Sequence, residues 1–388
     1  MSRQLPPGAK WVTLPSGARR VELLLEVGSN AITGARRQVR RRYPTVEAAR
    51  SAYLQIGTAA NQGTLVTRSS RITVDQSCAD WLANRRSLRK GTLANYANSL
   101  KPVRRAYGSV PLESLTVKHI DALITELQAG RVARVDGRQA RQWKPATVNL
   151  MLRVLSLMLD HAHKQGLVTR NIAKLVDRVP DRRDPRPTYT SEEIKHLALA
   201  ARGDPLEHAW HLALSGLRRG EVCGLSWSDI DLAERTLTVR ESRVSVDGEV
   251  EIEDPKTRAG QRTLPLTDEL GKVLARARRR QAEDRLRAGE HYRDSGYLVV
   301  DDLGRPLHPE TVSDKWDDFV VGAGVRRIRL HDARHTCGTL MHLQGVPTAV
   351  IAAWLGHTNA AFTMLVYVHS QNPALKDAAQ VLNALTAG

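Results

Sequence analysis

The residues best able to do chemistry lie in one stretch of the sequence, residues 331–369. Helical periodicity places His331, Arg334 and His335 on one face, because residues three and four apart are neighbours on a helix. An arginine fork matches phosphate oxygens, a histidine titrates near neutrality, and a positioned tyrosine hydroxyl forms covalent intermediates. These types together predict a pocket for an anionic centre. The full set is His331, Arg334, His335, His357, Tyr367 and His369.

Two upstream blocks supply further cations. Arg218 precedes a helix-like apolar run, and Glu221 lies one turn beyond it. In residues 253–266, Lys256 is followed by Gly260, which is typical of the turn of a β-hairpin. These blocks provide the additional positive charge that a pocket for an anion needs.

The order of these residues resembles the tyrosine recombinase (phage integrase) family. So does the text around them, which reads SGLRRGE, PKTRAGQRTLPL, HDARHT, LGHTN and TMLVYVH. Each string alone is weak, but five in this order are not accidental. The resemblance covers residues 186–388, and its catalytic positions are filled by Arg218, Lys256, His331, Arg334, His357 and Tyr367.

The resemblance implies DNA strand cleavage with Tyr367 as the nucleophile. The transition state of such an attack is a crowded pentacoordinate phosphorus that carries extra negative charge, so it needs fixed positive donors. In the family pattern, Arg218 and Arg334 clamp the phosphate. Lys256 matches the β-hairpin lysine that protonates the departing 5′ oxygen. Attack leaves a 3′-phosphotyrosyl link and a free 5′ hydroxyl.

The family histidines and one carboxylate complete the expected site. His331 handles the tyrosine proton or hydrogen-bonds the phosphate, and His357 donates to a nonbridging oxygen. Glu221 is expected to orient Arg218 or a histidine, with an ordinary helix carboxylate as the alternative. Arg262 is predicted to bind a nearby DNA phosphate.

No metal or cofactor is implied. The phosphotyrosyl link keeps the bond energy, so strand exchange in this family needs neither ATP nor metal, and the sequence holds no P-loop or two-metal carboxylate cluster. His331 and His335 have the i, i+4 spacing of zinc ligands. However, the Glu of an H-E-x-x-H motif is missing, and Arg334 shares their face.

Length and composition favour a multidomain protein of the cytoplasm. A chain of 388 residues is long enough for two or three domains. Its three scattered cysteines, Cys78, Cys223 and Cys337, form neither a disulfide framework nor a zinc spacing. We find no apolar run that reaches the roughly 18 residues of a membrane span and no signal-peptide pattern. A cytoplasmic location in a bacterial host is therefore expected.

The net charge of +17 is concentrated in the first half of the chain. Residues 1–70 hold 11 Lys and Arg against 3 Asp and Glu, and residues 71–183 hold 21 against 9. Residues 184–388 hold 26 against 29. This asymmetry predicts two DNA-gripping modules in front of a nearly neutral catalytic module. A generally basic proteome is the alternative.

The first 66 residues predict a small α+β domain of three strands and a helix. The strands are expected at 10–14, 21–27 and 36–43, with Thr45 as the N-cap of a helix to about Asn61. This pattern resembles, more loosely, the arm-type DNA-binding domain of integrases. The predicted phosphate contacts are Arg36, Arg37, Arg40, Arg41 and Arg42. A solvated edge strand blunted by charge is the alternative.

The rest of the chain predicts two further domains. Residues 71–176 have helical periodicity and resemble the all-α core-binding (SAM-like) domain of the family, with Thr92, Lys144 and Thr147 as DNA contacts. Residues 177–189 form a charged, Pro-rich linker. Residues 190–388 are expected to form a mainly α (α+β) catalytic domain with a small β-sheet, including strands at 236–243, 248–252 and 262–266.

The sequence predicts a site-specific recombinase, the integrase of a phage or mobile element. The expected partners are double-stranded DNA with core-type and arm-type sites, a homotetramer on DNA, an excisionase and a host DNA-bending protein. A recombinase that resolves chromosome or plasmid dimers is one alternative, although such enzymes lack the basic amino-terminal domain. A DNA-binding regulator that never cleaves is the other. Whether the carboxyl-terminal helix packs on its own domain or on a neighbouring protomer stays open.

Overall fold

A computed structural model of the protein describes residues 4–29, 36–61, 72–132, 141–181, 187–254 and 260–357. Two compact units divide the chain, residues 1–182 and 183–388. Within the described ranges, no helix is both long and apolar enough to cross a membrane. The predicted domain boundaries near residues 66, 71, 176 and 190 stay predictions.

The first unit begins with a three-stranded antiparallel sheet in the order β1-β2-β3. Its strands are β1 (Ala9–Thr13), β2 (Arg19–Ser29) and β3 (Arg36–Tyr43), followed by helix α1 (Val46–Asn61). Thr45 caps α1, because its Oγ1 accepts from the backbone N–H of Ala48 at 3.2 Å. The alternation predicted for β2 puts Leu23 inward, against Val39 and Ile56. The expected α+β arrangement is confirmed.

After this sheet and α1, the described residues of the first unit form four α-helices. They are α2 (Val74–Ala83), α3 (Lys90–Tyr107), α4 (Val117–Gln128) and α5 (Pro145–Lys164). Thr73 and Thr116 begin α2 and α4 with capping boxes. The side chain of Asn149 on α5 exchanges two hydrogen bonds with the backbone of Val179, at 2.8 and 3.0 Å. The start of the predicted linker is therefore held against α5.

The second unit combines helices with two small antiparallel sheets. Its first helices are α6 (Ser191–Ala200), α7 (Glu207–Leu214) and α8 (Arg219–Gly224). One sheet has the order β4-β5-β8 and the other pairs β6 with β7. The strands are β4 (Ile230–Asp231), β5 (Thr236–Val239), β6 (Ser242–Val246), β7 (Glu249–Glu253) and β8 (Arg262–Pro265).

The structure corrects two details of the predicted strands. The single strand expected at 236–243 is interrupted after Val239, and its two parts join different sheets. The hairpin expected around Gly260 is also wrong for the described residues, because β7 pairs with β6 while β8 pairs with β5. Strand periodicity shows which face is buried but not which strand is the partner.

Four further α-helices follow in the described part of the second unit. They are α9 (Asp268–Ala288), α10 (Pro309–Gly322), α11 (Leu330–Leu343) and α12 (Thr348–Leu355). Helix α10 is an addition to the predicted elements, although Val312, Trp316 and Val320 recur at helical spacing and all three are buried. The fold class predicted from the sequence, multidomain with a mainly helical second half and small sheets, is confirmed.

Candidate active site

Arg218 and His357 each lie just after a helix that ends at a glycine. Helix α7 ends in a Schellman motif in which Gly216 has φ +96° and Leu217 N–H donates to the carbonyl of Leu212 at 3.2 Å. Helix α12 ends in the same way, with Gly356 at φ +63° and His357 N–H donating to Ala352 at 2.9 Å. The positive φ angles suit glycine, and the chain leaves each helix directly into the site.

Arg218 and Glu221 form the first contact of the site. Arg218 is the N-cap of α8, and its backbone N–H donates to Oε2 of Glu221 at 2.8 Å. Its side-chain Nη1 donates to Oε1 of the same carboxylate at 2.6 Å. The contact expected between these two residues is present. The side chain of Arg218 is 38% exposed, so its guanidinium also faces solvent.

Glu221 is buried at the centre of three arginines. Arg262 holds it in a two-point fork, with Nη1 3.1 Å from Oε1 and Nη2 2.9 Å from Oε2. Nη1 of Arg334 lies 3.8 Å from Oε2. Burial raises the pKa of Glu221, but hydrogen bonding from Arg262 and the charges of all three arginines outweigh it and leave the pKa below its usual value. Glu221 is therefore an anion at neutral pH.

The same three arginines satisfy the carboxyl-terminal end of α12. The last carbonyls of a helix have no partner within it and need one from elsewhere. Arg262 Nε donates to the carbonyl of Trp354 at 2.6 Å, and Arg218 Nη2 donates to that of Gly356 at 3.0 Å. Arg334 Nη2 donates to the carbonyl between them, that of Leu355. Three consecutive carbonyls thus meet three guanidinium groups.

Arg334 also ties α11 to the turn after α7. Its Nη1 donates to the carbonyl of Gly216 at 2.7 Å, and the side chain is 2% exposed. Trp354 adds a second tie, because its indole N–H donates to the carbonyl of Ser215 at 2.8 Å. The site is consequently held by backbone groups from two helix ends.

His357 follows Gly356, the C-cap residue of α12, and is half-buried. Burial, followed by the nearby charges of Arg334, Arg218 and Arg262, lowers the pKa of His357 to about 4, although Glu221 acts in the opposite direction. The imidazole is therefore neutral at pH 7 and carries one ring N–H that can donate a hydrogen bond.

The other predicted site residues are distributed as follows. His331 is exposed in the first turn of α11, and its ring meets that of buried His335 edge-on, with centroids 5.0 Å apart. Lys256 and Tyr367 lie outside the described residues, as do His369 and the carboxyl-terminal segment. Among the residues that are described, no group of three or more His, Cys, Asp and Glu side chains could hold a metal ion.

Residues 190–373 match the phage integrase family. Residues 190–373 of this chain are a phage integrase domain. A XerC-like tyrosine recombinase of Caldanaerobacter subterraneus subsp. tengcongensis is 33% identical over 211 residues, which are 51% of this chain and 54% of that protein. The ICEBs1 integrase of Bacillus subtilis is 30% identical over 243 residues, which are 62% of this chain and 66% of that protein. The chain thus spans little more than half the length of the first relative.

Solved structures support the same fold. An integrase of the Tn1549 transposon, in complex with transposon right-end DNA, matches with a TM-score of 0.66 at 19% identity, over 80% of this chain and 99% of that one. A lambda integrase dimer bound to a COC' core site matches with a TM-score of 0.56 at 19% identity, over 95% of this chain and 96% of that one. The likeness to lambda integrase thus covers more than the integrase domain.

Most of the predicted DNA contacts outside the integrase domain are exposed where their side chains are described. Arg40, Arg41 and Arg42 are exposed on β3, and the side chains of Arg36 and Arg37 lie outside the description. Buried Glu22 anchors two of them, at 3.0 Å from Arg42 and 4.0 Å from Arg40. In the helical region Lys144 and Thr147 are exposed at the start of α5, and Thr92 is half-buried near the start of α3. Their DNA-binding roles stay predictions.

Arg262 is the predicted DNA contact whose surroundings differ from expectation. Its side chain is only 7% exposed and is engaged by Glu221 and Trp354 rather than pointing into solvent. A sequence signal for this existed, because Arg262 and buried Leu264 are two residues apart on β8 and therefore share the inward face. The phosphate contact proposed for Arg262 from the sequence stays untested.

Proposed function

We propose that this protein is a site-specific DNA recombinase that cuts and rejoins strands through a 3′-phosphotyrosyl intermediate. The observation that carries the proposal is the convergence of Arg218, Arg334 and His357 around a single carboxylate, Glu221. With Arg262 included, three guanidinium groups face one carboxylate, so the cluster keeps a net charge of about two positive units. A cluster with this surplus is suited to the singly charged phosphodiester of DNA and to the developing phosphorane, which carries an additional negative charge.

The proposed reaction assigns each group one task. The Tyr367 hydroxyl attacks phosphorus, the bond from phosphorus to the 5′ oxygen breaks, and Lys256 gives its proton to that leaving oxygen. Arg218 and Arg334 stabilise the nonbridging oxygens, and the N–H of neutral His357 donates to one of them. The proton of Tyr367 passes toward His331. The reverse attack by a 5′ hydroxyl from a second strand completes the exchange.

The partners follow from the same proposal. The substrate is double-stranded DNA, with a core-type site held by the helical and integrase domains and an arm-type site held by the basic amino-terminal sheet. Four copies act together on the DNA, assisted by an excisionase and a host DNA-bending protein, in the cytoplasm of a bacterial host. Integration and excision of a phage or mobile element is the biological role that this set of parts fits best.

Covalent trapping tests the proposal. Wild-type protein and Tyr367→Phe are incubated, without metal, with nicked duplexes carrying candidate core sites of the parent element. We expect a denaturation-resistant protein–DNA adduct with wild type alone. Tight binding without any adduct would favour a non-cleaving regulator, and an adduct that persists in Tyr367→Phe would mean that another tyrosine is the nucleophile.

The amino-terminal domain is tested separately. A variant lacking residues 1–70 is expected to form the core-site adduct but to lose efficient integration. Full integration by this variant would refute the arm-type assignment and favour a recombinase that resolves dimers, since those enzymes begin at the helical domain.

A further inference from the structure

Arg262 occupies an internal position in the site that a DNA contact would not require. It is the first residue of β8, the strand that contacts α12, and its side chain is 7% exposed. Four of its hydrogen bonds are made inside the domain, to both oxygens of Glu221 and to the carbonyls of Trp354 and Gly260. A guanidinium group has five N–H donors, so most of its donor capacity is already used.

The two ends of this guanidinium contact different parts of the site. One end is the fork that holds Glu221, and Glu221 in turn holds Arg218. The other end is Nε, which holds the carbonyl of Trp354, three residues before His357. The Trp354 indole is itself fixed on the carbonyl of Ser215. Arg262 therefore connects the segment that carries Arg218 with the segment that carries His357.

We propose that Arg262 is a positioning residue that sets the geometry between Arg218 and His357. This inference rests on the proposed recombinase function and adds a task to that site. Arg262 supplies the two-point fork that Glu221 needs as a buried anion, so the partly exposed guanidinium of Arg218 stays available to an incoming phosphate. Its Nε contact fixes the carboxyl-terminal turn of α12, which sets the direction in which His357 points.

The shape of the group explains why arginine is needed at this place. A planar fork can hold a carboxylate with two parallel hydrogen bonds while its Nε donates in a third direction. Lysine would keep the positive charge but offers a single nitrogen, and that nitrogen cannot reach both Glu221 and Trp354 in this arrangement. Glutamine would remove the charge and leave Glu221 with less than its full set of donors.

The experiment compares full-length wild type with Arg262→Lys, Arg262→Gln and the control Arg240→Gln. Arg240 is a suitable control because it belongs to the same part of the chain, is 59% exposed and pairs with Asp229 at 3.2 Å, outside the site. Three quantities are measured: hydrogen exchange in peptides covering 350–357, affinity for a short duplex of arbitrary sequence at several salt concentrations, and the rate of adduct formation.

A positioning role predicts a specific combination of results. Exchange at the amides of Gly356 and His357 becomes at least about tenfold faster in both Arg262 variants, because the turn they close has lost its anchor. Adduct formation falls by about 10²-fold, as expected when geometry at the reacting atoms is disturbed. Duplex affinity and its salt dependence stay at the wild-type values. Arg240→Gln changes neither the exchange nor the adduct rate.

The opposite combination would overturn the inference. If Arg262 is a phosphate contact, exchange at 350–357 is unchanged, affinity drops, and the slope of log affinity against log salt falls by about 0.9. If wild type forms no adduct but exchange still accelerates in the variants, the recombinase proposal fails while the structural link stands. If Arg262→Gln does not fold, Arg262→Lys carries the comparison, because it preserves the charge.

Discussion

Nη1 of Arg334 donates to the carbonyl of Gly216 across 2.7 Å, joining two residues that are 118 positions apart in the chain. Gly216 has φ +96°, and a Cβ atom at this position would lie 2.8 Å from Cδ2 of Leu355 and 3.1 Å from Sγ of Cys337. The carbonyl oxygen of Leu355 accepts a hydrogen bond from the other Nη group of Arg334. Leu355 therefore both limits the space at Gly216 and binds the side chain of Arg334, so a change at Gly216 is expected to disturb Arg334.

Gly216→Ala is expected to destabilise the integrase domain and to disturb its site. Gly203→Ala is the matched control, because Gly203 has φ +85° but no atom within 4 Å of an added Cβ. Both variants incur the left-handed backbone penalty of about 1–2 kcal/mol. Gly216→Ala should lose about 1–3 kcal/mol more through overpacking against Leu355. Chemical denaturation measures both losses, and equal losses would show that the contact with Leu355 yields without cost.

Arg334→Lys is expected to slow adduct formation strongly, and Arg243→Lys offers a control of the same kind. Arg243 is also buried and donates to two carbonyls, those of Cys223 and Leu307. Each substitution leaves a buried carbonyl without a donor and should cost about 1–3 kcal/mol of stability.

The two arginine variants should differ in activity although they resemble each other in stability. Loss of one donor to the transition state predicts a decrease of about 10²–10³-fold in the adduct rate for Arg334→Lys. Arg243→Lys should keep a rate near that of wild type, measured at a temperature where both variants are folded. Similar rates for the two variants would remove Arg334 from the proposed phosphate clamp.

Glu221→Gln is expected to lose both stability and adduct formation. The substitution removes the carboxylate that the three arginines share while Arg262 and Arg334 stay buried, so about 3–5 kcal/mol of stability should be lost. Glu207→Gln is the control, since Glu207 is also buried and accepts two hydrogen bonds from Arg276. It should reduce stability but leave the adduct rate of the folded protein unchanged. A fully active Glu221→Gln would contradict the proposed orientation of Arg218.

The pKa of His357 should respond to DNA, whereas that of another buried histidine should not. The pKa values of His357 and His208 are both lowered to about 4, with burial as the largest cause, and the ring of His208 lies in the core against the carbonyl of Leu298. A phosphate beside His357 adds negative charge and should raise its pKa, while the pKa of His208 stays the same. NMR titration of the imidazoles in Tyr367→Phe, with and without a duplex, measures both values. An unchanged pKa of His357 would place the phosphate elsewhere.

These two histidines also set the sign of the pH dependence of stability. Their folded pKa values lie below the unfolded value of about 6.5, so between pH 6.5 and 4 the unfolded chain binds more protons than the folded one. The contribution of these two histidines to the free energy of unfolding is fully present above pH 6.5 and is lost as the pH falls through about 4. His357→Gln should flatten part of this loss in denaturation experiments, and an unaltered slope would show that His357 does not carry the shift.

The sequence determined much of the local structure of the site. Gly356 was predictable as a helix end because glycine adopts a positive φ without strain. The position of His357 just beyond the end of the helix follows from this. Glu221 could be expected to reach Arg218 because residues three apart on a helix turn are neighbours. Residue types and order also identified the family, since a phosphate site needs these groups whatever holds them.

Only the tertiary structure decided what Arg262 and the helix-end carbonyls do. Strand alternation put Arg262 on an inward face, but it could not identify the partners of its side chain. These partners are Trp354, 92 residues away in the chain, and Glu221, 41 residues away. Every residue has a backbone carbonyl, so the residue type does not show which carbonyls bind an arginine. The carbonyls that do so here include those of Gly216, Trp354, Leu355 and Gly356. Pairings between distant segments depend on how whole elements pack, and local periodicity contains no information about that choice.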